Sequence, residues 1–321
     1  MKRIFILFLF SVLFSCTPAE NHTYSFYYWR STLNLSTVEK AALEKSPTSY
    51  LYTHFFDIDK IDGKFQPVGL ITKNETFETS KKIIPVVYIK NEVFYDITIK
   101  EINFLAKNVS TLIQKKQKEF GFQSTNEIQI DCDWTAGTNK EYFEFLKQLQ
   151  DISQVQITCT IRIHQVKNRT LSGVPPVHKV YLICYSTPSL QCNAGKKILD
   201  VPTLEKYLGN VDRYPLDIDV ALPINSYGTV TNVFGDKELI DSISLEDLKH
   251  ADFKTVTENM VEIKKDGFHF GKKLSNGSKI KVEVNSDAQL NEVRKYLDFK
   301  LGSYNIIYYH LDDHFLKNRK L

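Results

Sequence analysis

Two carboxylates spaced two residues apart, Asp131 and Asp133, close the run Glu-Ile-Gln-Ile-Asp-Cys-Asp-Trp-Thr at 127–135. On an extended strand, alternation puts Gln129, Asp131 and Asp133 on one face and Ile128, Ile130, Cys132 and Trp134 on the other. Such a carboxylate pair can move protons or accept hydrogen bonds from hydroxyls. Buried without partners it would be costly, so it needs a cation or an opening to water and substrate. Other apolar runs end in the same kind of group. Trp29 and Arg30 end the first, and Asp57 and Asp59 the second. Thr158, Thr160, Arg162 and His164 share a face of the fifth. Tyr185 follows the sixth, Asp219 and Asn225 belong to the seventh, and Tyr308, His310 and Asp312 end the eighth. Aromatic faces beside carboxylates suit a sugar: rings stack on pyranose faces, and acids bind hydroxyls or transfer protons. Asp131, Asp133 and Asp57 are the candidate catalytic groups. Trp29, Arg30, Arg162, His164, Tyr185, Asp219, Tyr308 and His310 are the candidate binding groups. Asp57, Asp131, His164 and His310 include metal-type ligands, but no H-x-H or H-E-x-x-H spacing occurs, so no metal or other cofactor is expected.

These residues need a scaffold that brings many strand ends to one rim. Eight strand-like runs are predicted, at 24–30, 49–59, 83–89, 127–134, 155–165, 179–186, 216–228 and 304–313. Most are separated by amphipathic stretches, such as 98–121 with Ile102, Leu105, Val109, Leu112 and Ile113 at helical period and Gly121 just past its end. That alternation predicts a (β/α)₈ TIM-like barrel over 23–316. No Gly-rich fingerprint follows a strand, which disfavours a nucleotide-binding open sheet. The stretch at about 230–285 breaks the pattern. Residues 267–284 predict a small β-hairpin around Asn276-Gly277, inserted between strands seven and eight.

The 321 residues carry 25% charged side chains and a net charge of +3, with Lys and Arg dispersed. That excludes a nucleic-acid footprint. At the N-terminus, Lys2 and Arg3 precede the apolar run 4–14, which is too short for a mature spanning helix. Leu13-Phe14-Ser15-Cys16 follows. Its form is that of a bacterial lipobox, so residues 1–15 are expected to be a signal peptide. Lipidated Cys16 and a tether over 16–22 would then hold a monomeric body on the cell envelope, at the outer membrane. Of the remaining cysteines, Cys132, Cys159 and Cys184 fall within strand-like runs as small apolar residues. A Cys184–Cys192 disulfide is an open alternative.

Three segments in order carry a family resemblance. Ile-Asp-Cys-Asp-Trp (130–134) resembles the strand-four D-x-D-W-E signature of glycoside hydrolase family 18, the chitinases and their relatives. Leu-Ile-Cys-Tyr-Ser (182–186) is similar to the family's strand-six M-x-Y-D segment. Val-Ala-Leu-Pro-Ile-Asn-Ser-Tyr-Gly (220–228) is similar to its strand-seven G-L-P-x-Y-G segment. The resemblance implies a barrel, with Asp131 and Asp133 as aspartates that orient a substrate acetamide and tune the acid. It also marks two departures. The family's proton-donating Glu is Thr135 here, and the acidic partner of the tyrosine position is Ser186. An alcohol cannot protonate a glycosidic oxygen near neutral pH. The chain also resembles lipoproteins of Bacteroidota-like bacteria that share Asp-Cys-Asp-Trp-Thr. The expectation is an envelope lipoprotein that binds a glycan without family-18 catalysis; the alternative is an active glycoside hydrolase using Asp131, Asp133 or Asp57.

Overall fold

The computed structural model describes residues 22–185, 199–317 and 319. Residues 1–21, with Cys16, and residues 186–198, with Ser186 and Cys192, lie outside the described part. Eight parallel strands close into a barrel: β1 (Tyr24–Tyr28), β2 (Tyr50–Ile61), β3 (Lys82–Ile89), β4 (Glu127–Asp131), β5 (Gln156–Arg162), β6 (Lys179–Ile183), β7 (Asp217–Pro223) and β8 (Ile306–Tyr309). Each pairs with its neighbour in sequence. Closure comes from β1, which pairs with β8 through Tyr24↔Ile306 and with β2 through Tyr27↔Tyr52. The fold class is therefore that of a (β/α)₈ barrel.

Helices α1 (Thr37–Lys45), α2 (Ile99–Phe120), α3 (Asn139–Ser153), α4 (Ile163–Lys167), α5 (Val201–Leu208), α6 (Asp287–Leu301) and α7 (Asp313–Leu316) surround it. After β2 an antiparallel strand, Lys64–Val68, takes the place of a helix. The helices start where local chemistry satisfies their first N–H groups. Ser36, Thr98 and Ser286 each form a capping box with Glu39, Glu101 and Gln289. Gly121 ends α2 at φ 70°, a left-handed conformation that costs glycine nothing sterically.

The apolar residues divide into two layers. Phe26, Ile130, Cys159, Leu182, Leu222 and Tyr308 belong to the core between the strands and the helices. Tyr27, Tyr52, Val86, Tyr181, Ile183 and Ile307 fill the barrel interior. Cys132, Cys159 and Cys184 are buried free thiols.

Between β7 and α6 the insertion is larger than the small hairpin expected from the sequence. Five antiparallel strands form a sheet in the order 237–241, 226–231, 279–284, 260–263, 253–257, over a separate core that includes Val230, Ile240, Val261, Ile280 and Val282. The hairpin itself is shorter than 267–284. Gly267–His269 pairs with Lys272–Leu274 across Phe270-Gly271, while Lys279–Val284 joins the sheet. Alternation recurs in all these segments, so periodicity alone could not say which strands pair.

Candidate functional site

At the C-terminal ends of the strands, the interior residues become polar and aromatic. The centre is Arg162, the last residue of β5. Its Nε donates to Asp133 Oδ1, and its Nη2 lies 3.6 Å from Asp131 Oδ1. Thr160, one interior step earlier on β5, donates to the same Asp131 oxygen at 2.5 Å. Burial pushes the Asp131 carboxyl above its ordinary value; Arg162 and Thr160 work against that without cancelling it. Burial would lower Arg162, but Asp131 and Asp133 outweigh it and hold the guanidinium charged. Tyr88, at the end of β3, is pushed up to about 12 by burial and by Asp133 and Asp131. Asp131 is buried and Asp133 exposed. The cation that alternation demanded is thus a residue of the next strand.

Aromatic rings from β1, β8 and the end of β6 line the same mouth. Trp29 lies 6.0 Å from Tyr27 and 6.0 Å from Tyr309 between ring centroids, and Tyr185 lies 5.7 Å from Tyr309. His54 sits 4.7 Å from Trp29 and its Nε2 meets Asp57 Oδ1 at 2.6 Å. Strict alternation would send His54 and Asp57 to opposite faces. The strand register shifts between His54 and Phe56, a bulge that adds one residue and brings both to the mouth. His54, Tyr88 and Tyr309 escaped the sequence reading. For His54 no signal was present, because the bulge does not show in the residue pattern.

Of the residues singled out by sequence, Trp29, Asp57, Asp131, Asp133, Arg162 and Tyr185 are brought together. His164 stands at the start of α4 with one side open to water; partial loss of hydration on the other lowers its pKa and nearby Asp133 opposes this. Four others are placed elsewhere. Tyr308 faces the outer core beside Phe26 and Arg294, and Tyr309 takes the interior position. Both faces of β8 are apolar, so the sequence does not tell one register from its neighbour. Asp219 lies at the opposite, N-terminal end of the barrel, held by Lys179 at 2.9 Å and the Asn305 N–H at 2.8 Å. Arg30 turns outward over the Tyr28 ring and pairs with buried Glu39 at 2.7 Å. His310 follows Tyr309 and packs between Tyr309 and Phe315.

Trp134 faces outward, as alternation predicts. It stacks on Tyr142 and donates to Ser172 O at 2.9 Å. Thr135 is exposed in the next turn, where its N–H donates to Thr138 Oγ1 at 3.0 Å. No carboxylic acid occupies that position.

Two other polar clusters differ from this site. Glu39, Asp312 and Asp313 are the acids close enough to share a cation among the described residues. Both Glu39 oxygens are already used, one by Arg30 and the Ser36 N–H, the other by the Asp313 N–H. The cluster therefore reads as a splice between α1 and α7. A cavity of about 510 Å³ lies between the insertion and the barrel. There His314 Nε2 meets both Asp247 Oδ2 at 2.5 Å and Ser244 Oγ at 3.1 Å. Both partners sit on one nitrogen, which is not the relay order of a nucleophilic triad.

No protein-family model and no curated protein matches the chain. Solved structures do. The spore cortex-lytic enzyme SleL of Bacillus cereus aligns over 92% of this chain and 72% of its own, with TM-score 0.56 and 15% identity. A chitinase of Chromobacterium violaceum aligns over 92% and 96%, with TM-score 0.52 and 10% identity. A group II chitinase catalytic domain of Ostrinia furnacalis, solved in complex with penta-N-acetylchitooctaose, aligns over 91% of each chain, with TM-score 0.50 and 10% identity. At such identities the likeness is one of fold: the chain is an eight-stranded parallel barrel similar in fold to this cortex-lytic enzyme and these chitinases.

Proposed function

We propose that the barrel mouth binds a glycan containing N-acetylated sugars and does not cut it by the family-18 route, and that lipid on Cys16 holds the chain on the bacterial envelope. The observation that carries the binding part is the joining of Asp131 and Asp133 by one guanidinium at the strand ends that also carry Trp29, Tyr185 and Tyr309. Rings supply stacking surface, and the exposed Asp133 offers acceptor oxygens to an amide or hydroxyl. The group that would protonate a leaving oxygen is missing at Thr135. Carbohydrate chemistry in the similar structures supports the choice of ligand.

A second reading is an active hydrolase, and the His54–Asp57 pair favours it. A histidine oriented by a carboxylate at the rim of a pocket can transfer protons.

Binding of N-acetylglucosamine oligomers, followed by calorimetry, tests the main reading. Trp29→Ala and Asp133→Asn should each weaken binding by about tenfold, the effect of losing one stacked ring or one charged hydrogen bond. Chromogenic oligomers should not turn over. Wild-type turnover abolished by Asp133→Asn or Asp57→Asn would establish the hydrolase instead. Wild-type chain that binds no such oligomer would remove the glycan reading.

A further inference from the structure

His22 fixes where the chain enters the barrel. Its ring stacks on Tyr304 at 4.1 Å between centroids, its Nε2 meets Asp298 Oδ1 at 2.7 Å, and its Nδ1 meets Tyr304 O at 3.0 Å. Asp298 is in the last turns of α6, and Tyr304 precedes β8. Both lie at the N-terminal ends of the strands. The candidate site lies at the other end, and Trp29 is roughly 20 Å further along β1 at 3.3 Å per residue. Only six residue steps separate His22 from Cys16. In any conformation they span at most about 20 Å. A body of this length is roughly 50 Å across, from the size scaling of compact domains. To lay the mouth on its own bilayer, the tether would have to run back over that same roughly 20 Å and also pass outside the helix layer, about 10 Å thick, which exceeds its reach.

We infer that the pocket opens away from the membrane that anchors the chain, and that its ligand is a glycan polymer lying beyond that bilayer rather than a sugar headgroup within it. This rests on the lipid anchor and the glycan pocket of the proposed function. The tether holds the N-terminal end of the barrel at the surface, and the strand-end loops project outward. A headgroup in the same leaflet would have to rise by roughly the 20 Å that separates His22 from Trp29 along β1 to reach Asp133 and Trp29. A strand of polymer running parallel to the membrane meets them directly.

The test uses the full, lipidated chain in vesicles. A fluorophore is placed at Ser124→Cys, in the loop before β4 at the N-terminal end, or at Ala136→Cys, in the loop after β4 at the mouth. Both sites are exposed, and each variant is made in a Cys192→Ser background. Energy transfer to a dye in the lipid should be strong from position 124 and weak from position 136. Equal or reversed transfer overturns the inference. Flotation reports the anchor separately: a chain that does not float with vesicles has no lipid, and the inference falls with it. Two binding arms then separate the glycan sources. Vesicles carrying the chain should sediment with insoluble chitin, and an N-acetylglucosamine glycolipid doped into those same vesicles should not compete. Competition by the glycolipid as effective as that of the free oligomer overturns the inference. Soluble Cys16→Ser chain that fails to bind chitin points instead to failure of the glycan reading.

Discussion

Arg162 serves two carboxylates of unequal exposure, and its removal should be felt unequally. Asp133 is 46% exposed at its side chain and can turn to water; Asp131 is 12% exposed and cannot. Arg162→Met should therefore cost about 3 kcal/mol, mainly by leaving Asp131 charged and buried. Urea unfolding at neutral pH measures it, and adding Asp131→Asn should recover a substantial part. His310 gives a pH signature. Burial pulls its pKa down to about 4; Asp312 opposes this and Arg30 adds to it. The folded state thus binds fewer protons than the unfolded chain between about pH 6.5 and 4. The stability associated with neutral His310 is complete above pH 6.5 and is lost as pH falls through that window. The full loss approaches about 3 kcal/mol. In His310→Phe the slope of unfolding free energy against pH should flatten over that range; an unchanged slope would assign it to other groups. At this scale the sequence was a fair guide to which residue types form the pocket. It erred at Tyr308 and missed Tyr309, because a strand buried on both faces carries no polarity signal for register.

Among the elements, α2 and the segment after α4 show how backbone positions constrain the barrel. Gly121 at φ 70° has open space where a Cβ would stand. Gly121→Ala should cost only the left-handed backbone penalty, about 1 kcal/mol. Gly173, at φ 78° and ψ 176°, is in a region accessible to glycine alone, and a Cβ there would lie 2.7 Å from the Phe143 ring. Gly173→Ala should be the more damaging of the two, because the Phe143 ring must move as well. Thermal melts of the two variants decide the order. The end of α2 was legible in the sequence, since Gly121 is a local cap signal. The β2 bulge was not. It brings His54 beside Asp57 by a register shift against β3, and only the paired strand reveals it.

As a whole, the molecule is a barrel with a second core in one loop. The insertion starts and ends at paired neighbours, Ser226↔Val284, and its apolar cluster is separate from that of the barrel. Replacing 227–283 with a short Gly/Ser linker should leave a barrel that melts cooperatively and retains the pocket, because Arg319 ties Ile224 O and Asn285 O together on the barrel side. Loss of cooperative unfolding on excision would show that the barrel depends on the insertion. The interdomain contact of His314 with Asp247 would be lost in this variant, but both groups are partly exposed, so its contribution is modest.

The sequence by itself determined the number and order of the barrel strands, the end of α2 at Gly121, the outward direction of Trp134 and the absence of an acid at position 135. Each depends on contacts within a few residues or on a period that a chain displays along its own length. Tertiary structure decided the rest. Asp219 and Asp131 both point into the barrel, yet they sit at opposite ends of it: Asp219 is the third residue of β7, held by Lys179 and Asn305, and Asp131 is the last residue of β4. Arg30 has the right position at a strand end but is drawn outward by Glu39, nine residues on. The extra strands of the insertion choose among several alternating segments by burial of a shared core. Chemistry in the pocket depends on atoms brought within hydrogen-bond reach across strands, and those distances belong to the packed barrel alone.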